Sequence, residues 1–180
     1  MKVWLYTDSH FFHDAMVQFC GRPVDHTARQ VANWKRLVSP EDLVFHLGDV
    51  ALGVGDRMRE LQDLLQGLPG KKVLILGNHD KQSPTWYMRN GFDAAVTSIV
   101  YKRIFLTHRP ADRLPPGAWL NVHGHLHNSS HRKWDHVVKP WHRLLQIEDR
   151  LEPVEFDKFV SADLSHEQIR RDMVKKLDYV

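Results

Sequence analysis

Each strand-length apolar run in the first two-thirds of this chain stops at side chains that bind metals or carry protons. Lys2–Thr7 ends at Asp8-Ser9-His10, Asp42–Leu47 at Gly48-Asp49, and Lys71–Leu76 at Gly77-Asn78-His79-Asp80. A further run ends at His108, and Trp119–Val122 leads into Gly124-His125-Leu126-His127. Polar groups at the mouth of a buried strand need partners, because leaving one unsatisfied costs about 1–3 kcal/mol. In an α/β sheet the loops at the carboxyl ends of the strands line one crevice, and ligands bind there. Five clusters far apart in sequence are therefore expected to converge. The glycines suit tight turns that let backbone approach a ligand closely.

Helical patterns alternate with these runs. Asp25 can cap a helix that carries Val31, Trp34 and Val38 on one face. Met58, Leu61, Leu64, Leu65 and Leu68 mark a second amphipathic helix, stopped by Pro69-Gly70. This alternation predicts an α/β core. In the second half, residues 94–107 read as two strands with a tight break near Tyr101–Arg103. A proline-rich loop spans Arg109 to Gly117, Asn128 to Pro140 reads as an irregular polar loop, and Trp141–Ile147 as the last strand. Ser165 and Gln168 form a capping box for a final helix with Ile169, Met173 and Leu177. With no repeat or linker, residues 1–180 are expected to form one domain.

Composition narrows the function classes. A single cysteine, Cys20, excludes an internal disulfide and a cysteine-rich zinc site, which suggests a reducing, cytoplasmic setting. No apolar stretch approaches membrane-spanning length. The start of the chain reads as a strand rather than a signal peptide, because it reaches a carboxylate so early. A net charge of +3 is far below that of a dedicated nucleic-acid binder, so no stable nucleic-acid complex is expected. Thirteen histidines is a high count for 180 residues, and histidine is the commonest metal ligand.

The clusters supply carboxylates, imidazoles and an amide, without thiolates. Such a donor set suits Mn, Fe, Zn or Ni better than calcium, which prefers oxygen alone. Asp8, His10, Asp49, Asn78, His108, His125 and His127 make seven candidate ligands, more than one tetrahedral ion uses. Two ions sharing a bridging carboxylate would use them all. Two metals about 3.5–4 Å apart are the arrangement that clamps an in-line displacement at phosphorus.

In this order, Asp-x-His, Gly-Asp, Gly-Asn-His-Asp, a lone His and Gly-His-x-His, the motifs resemble the calcineurin-like metallophosphoesterase superfamily. T-D-S-H-F-F-H, F-C-G-R-P and F-H-L-G-D look like its small single-domain bacterial and phage branch. The resemblance implies an α/β (α+β) fold, a four-layer αββα sandwich of two mixed β-sheets flanked by helices. It implies two divalent metal ions, Mn²⁺ first, with Fe, Zn, Ni or Mg as alternatives. Asp8, His10 and His127 would hold one, Asn78, His108 and His125 the other, and Asp49 would bridge them. A metal-bridging hydroxide would then attack phosphorus directly. His79 would sit by the leaving group with Asp80 orienting its imidazole.

The implied substrates are small phosphodiesters or phosphomonoesters of nucleotide type, including 2',3'-cyclic nucleotides. A nuclease acting on polynucleotide ends and a non-catalytic scaffold are the alternatives, and no membrane partner is expected. His13 and Arg22 are candidate substrate contacts, with capping and surface roles equally open to them. His46 and His123 read as histidines satisfied within the core, and Arg109 as exposed. His131, Arg132, Lys133 and His136 read as a solvated loop, and Lys175 and Lys176 as a helix face.

Overall fold

The computed structural model describes residues 1–128 and 139–162. The final helix expected from Ser165 onward, Lys175, Lys176, and the loop residues His131, Arg132, Lys133 and His136 lie outside the described residues.

Two mixed sheets form the body. The first has the order β4(Ala94–Val96)-β3(Lys71–Ile75)-β2(Leu43–His46)-β1(Val3–Tyr6)-β9(Val154–Glu155). Strands β1 to β4 are parallel, and β9 runs antiparallel to β1 at the edge. The second sheet has the order β5(Ser98–Tyr101)-β6(Ile104–Thr107)-β7(Leu120–His123)-β8(His142–Leu144). There β5 and β6 make a hairpin, while β6, β7 and β8 are parallel. This is the expected arrangement of two mixed sheets with flanking helices.

Alternation along the central strands explains why both faces of the first sheet are apolar. Val3, Leu5, Phe45 and Ile75 point toward Ile104, Leu106, Leu120 and Val122 of the second sheet. Trp4, Tyr6, Val44 and Leu74 point the other way, against helices α2(His26–Leu37), α3(Met58–Gln66) and α4(Pro84–Arg89). Each fully buried side chain of this size contributes about 1.5–3 kcal/mol of burial free energy. Trp34 from α2 and Leu61 and Leu65 from α3 lie in that outer core, as the spacing predicts. Among the described residues no helix is long and apolar enough to cross a membrane.

Several local expectations change. Residues 94–107 hold three strands rather than two, because the chain leaves the first sheet at β4 and enters the second at β5 with only Thr97 between them. The run is continuously strand-like, so nothing local marks the switch. The tight break is the two-residue turn Lys102-Arg103, both residues having positive φ. Asp25 does stand at the N-cap position of α2. Its carboxylate, however, pairs with Arg29 one turn on, at 2.7 Å, rather than capping an amide. The Trp141–Ile147 strand is limited to β8, and it is not the last. Beyond it lie β9 and α5(Phe156–Ser161), and α1(Met16–Cys20) also escapes the periodicity, all three being too short to show one.

Candidate metal centre

The parallel strands β1, β2 and β3 of the first sheet and β6 and β7 of the second deliver their carboxyl-terminal loops to one rim. The loops are stitched to each other before any ligand is considered. Asp8 N–H donates to Gly48 C=O at 2.9 Å, His10 N–H to Asp49 C=O at 3.0 Å, and Gly124 N–H to His108 C=O at 3.0 Å. Close approach demands glycine at two points. A Cβ on Gly124 would overlap the side chains of Thr7 and Asp8, and one on Gly77 would overlap the Asp49 carboxylate. Five of the seven candidate ligands, Asp8, His10, Asp49, His125 and His127, have positive φ. Such backbone costs about 1–3 kcal/mol per residue and persists where surrounding structure enforces it, often at functional sites.

Two donor triads result. Asp8, His10 and His127 offer ligand atoms within 4.8 Å of one another, and so do Asp49, His108 and His125. Asn78 joins the second triad, its Oδ1 lying 2.9 Å from His108 Nε2. Asp49 stands between the two. Its Oδ1 accepts the His79 N–H at 2.8 Å, leaving Oδ2 3.3 Å from His108 Nε2 and 3.8 Å from His10 Nε2. One carboxylate oxygen thus lies near a histidine of each triad.

The protonation pattern fits metal ions. His108 Nδ1 lies 2.6 Å from the Leu47 carbonyl, which can only accept, so Nδ1 carries the proton. Nε2 faces the oxygens of Asn78 and Asp49, so both ring nitrogens look at acceptors, which raises the ring's affinity for a second proton. A metal cation at Nε2 would take the place of that proton. His127 repeats the pattern: Nδ1 donates to Glu148 Oε1 at 2.8 Å, and Nε2 faces Asp8 Oδ1 at 3.5 Å. Asp8 Oδ2 is anchored by Thr7 Oγ1 and by His125 N–H, whereas Asp8 Oδ1 is buried with no hydrogen-bond partner among the described residues. His10 Nδ1 is orphaned in the same way.

The electrostatics agree. Burial pushes His10 down to about 2, and burial with the nearby His108 charge pushes His125 down to about 4. Both are therefore neutral imidazoles at neutral pH, the form that binds metal. Burial opposes charge on His108 and Asp49 as well. Their mutual attraction nevertheless holds His108 above and Asp49 below its ordinary value. Burial also opposes charge on His127, and the Cys20 thiol and Glu148 carboxylate outweigh it and raise its pKa. A field that favours positive charge at these ring nitrogens favours a cation beside them.

Of the other sequence candidates, His79 and His13 both lie at the rim, each ring centroid 5.7 Å from that of His10. Asp80 does not reach the His79 ring. Its carboxylate accepts N–H groups from Gly77 at 2.7 Å, Asp49 at 2.8 Å and Val50 at 2.9 Å, and the Tyr87 hydroxyl at 3.2 Å. It fixes the backbone that presents Asp49 instead of orienting an imidazole. Arg22 is only 1% exposed. Its guanidinium donates to the Ser9 and Asp8 carbonyls and to Glu148.

His46 and His123 are buried and hydrogen-bonded, to Ser9 with Gly48 and to the Gly124 carbonyl. Burial lowers them to about 3 and about 4. Arg109 is exposed, as expected.

Sequence reasoning missed Glu148. Its carboxylate joins His127 to Arg22, and Arg22 holds the backbone of Asp8 and Ser9, so one ion triad locks loops from three strands. Cys20 also comes within reach of His127 and Glu148, although the Arg22 guanidinium already neutralises that carboxylate. The signal was available: Glu148 closes the Trp141–Ile147 run as the other motifs close theirs. A carboxylate behind a metal-binding histidine sets the ring's tautomer and basicity. Glu148→Gln is expected to weaken metal binding at Asp8, His10 and His127 by roughly 10–100-fold. Titration of the metal-free protein with Mn²⁺ measures this, and two unchanged affinities would refute the role.

Comparisons with known proteins follow the same line. The uncharacterized protein MJ1445 of Methanocaldococcus jannaschii is 28% identical over 181 residues, covering 96% of this chain and 94% of that protein. The Gene 66 protein of Mycobacterium phage L5 is 25% identical over 189 residues, covering 82% of this chain and 91% of its own. The crystal structure of AQ665 from Aquifex aeolicus, a protein of unknown function, shares the fold with a TM-score of 0.65 at 21% identity. It covers 94% of this chain and 98% of its own. That of nuclease MPE from Pseudomonas putida aligns with a TM-score of 0.51 at 22% identity, over 69% of this chain and 61% of the nuclease. At such identities the two structures speak for the fold alone. The Metallophos model, described as calcineurin-like phosphoesterase, matches residues 1–173. With that span matched and its motifs gathered at one rim, the chain belongs to the calcineurin-like phosphoesterase family.

Proposed function

We propose that this protein is a two-metal phosphoester hydrolase acting on small phosphodiesters or phosphomonoesters, with nucleotides and 2',3'-cyclic nucleotides as the substrate class. The observation that carries the reading is the pair of imidazoles, His108 and His127, each anchored through one ring nitrogen and turned through the other toward a carboxylate. Their Nδ1 protons go to Leu47 and Glu148 while their Nε2 atoms face Asp49 and Asp8. Asp8, His10 and His127 would hold one metal, and Asn78, His108 and His125 the other, with Asp49 between. Bound there, two divalent cations supply an activated water and neutralise charge building on the phosphoryl oxygens. Mn²⁺ is the first expectation for this nitrogen–oxygen donor set.

The protein's own groups do the rest. Asp80 and Glu148 hold the ligand loops so that little reorganisation accompanies reaction, which is where electrostatic catalysis gains most. His79, at the rim but in neither triad, protonates the departing oxygen. His13 beside it takes part in holding the substrate. The setting is cytoplasmic, consistent with a free, buried Cys20.

The test is turnover of bis(p-nitrophenyl) phosphate by protein loaded with Mn²⁺. Full metal occupancy without turnover on any phosphoester would replace this reading with a binding scaffold. A second reading, a nuclease at polynucleotide ends, draws on the structural neighbour described as a nuclease. A strand-tracking enzyme usually needs a broad basic groove, and +3 over the whole chain is modest. Activity on single-stranded DNA that falls steeply with added salt would favour that reading.

A further inference from the structure

Beside the metal rim lies a pocket of about 150 Å³, and His79 forms part of its wall. Val54, Met58, Leu61 and Trp86 give it apolar sides, and Val50 and Tyr87 complete it. Lys81 and Gln82 also line it, and both are exposed. Lys81 Nζ is engaged with the Asn78 carbonyl at 2.6 Å. The pocket is therefore apolar within, bordered by a cation, and adjacent to the residue assigned to the leaving group.

Its wall and the metal rim are tied together by hydrogen bonds. Asp80 accepts the Tyr87 hydroxyl and the Val50 N–H through Oδ1, and the Asp49 and Gly77 N–H groups through Oδ2. One carboxylate thus fixes two pocket residues relative to the bridging ligand. A substrate group seated in the pocket would hold a defined position against the reacting phosphorus.

We propose that this pocket binds a single planar aromatic ring carried by the leaving alcohol, of aryl or pyrimidine-nucleoside type. The proposal rests on the hydrolase reading above, since it is His79 at the departing oxygen that sets the leaving group beside this pocket. Size supports one ring: an apolar cavity of about 150 Å³ in another protein accepts benzene. Chemistry supports it too. Trp86 offers an aromatic surface that favours stacked or edge-on ring contacts, and Met58 a polarisable thioether that adapts to a ring edge.

The test compares two diesters matched in leaving-group acidity, one losing an aryl and one a fluoroalkyl alcohol. The wild type should favour the aryl ester in kcat/KM by about 10–100-fold, the worth of burying one ring. Trp86→Ala, which removes a wall, and Val54→Phe, which fills the space, should each collapse that ratio toward one, chiefly through KM. A ratio that survives both changes, in variants that still fold and turn over, overturns the proposal.

A metal-independent arm separates this from the hydrolase reading. Uridine should show saturation-transfer NMR contact with the metal-free protein and lose it in Val54→Phe. Absent contact counts against the pocket even if turnover is high. Contact without turnover on any ester would keep the pocket as a ring-binding site and remove the catalytic reading.

Discussion

Asp49→Ala should lose both metal and turnover. Oδ2 of this carboxylate lies 3.3 Å from His108 Nε2 and 3.8 Å from His10 Nε2, one from each donor triad, so its loss disturbs both. Its Oδ1 also holds the His79 backbone, so the segment carrying the proposed acid loosens with it. The fall in kcat/KM should exceed the roughly 10–100-fold typical of removing a residue that only orients a ligand. Metal content by elemental analysis should drop in parallel. Asp49→Asn keeps an oxygen for the His79 amide but lacks the charge, and should also lose metal. Two full equivalents of metal retained in either variant would contradict the bridging position.

His79→Ala should behave in the opposite way, keeping both metals and losing rate. Its ring belongs to neither triad, yet it lies at the rim beside His10. General acid catalysis contributes about 10²–10⁴-fold, and most where the leaving group most needs a proton. The loss should therefore reach that range with an alkoxide leaving group and shrink markedly with p-nitrophenolate. Equal losses on both would assign His79 to binding rather than to proton transfer.

Much of the site is legible along the chain because strands impose a simple rule. Where β1, β2, β3, β6 and β7 run parallel, their carboxyl ends meet at one rim, so a polar motif closing each run is already placed. Partners of those motifs are another matter. Asp80 adjoins His79 in sequence, and the family resemblance implies that the two act as a pair. In space its oxygens lie against amides of Asp49 and Val50, some 30 positions earlier. Arg22 reads equally as a substrate contact or a surface residue until its guanidinium is found sealed against Glu148, 126 positions away.

Residue type and spacing alone determined the α/β core, the five turns that carry polar motifs and the nitrogen–oxygen character of those motifs. Those follow from period-two burial and from the cost of leaving polar strand ends unpaired, both of which are local properties. Tertiary structure alone decided that the chain changes sheets at Thr97, that Asp80 braces Asp49, and that Glu148 stands behind His127. Such choices depend on which distant groups compete for each buried hydrogen bond, and that competition leaves no trace in a short window of sequence.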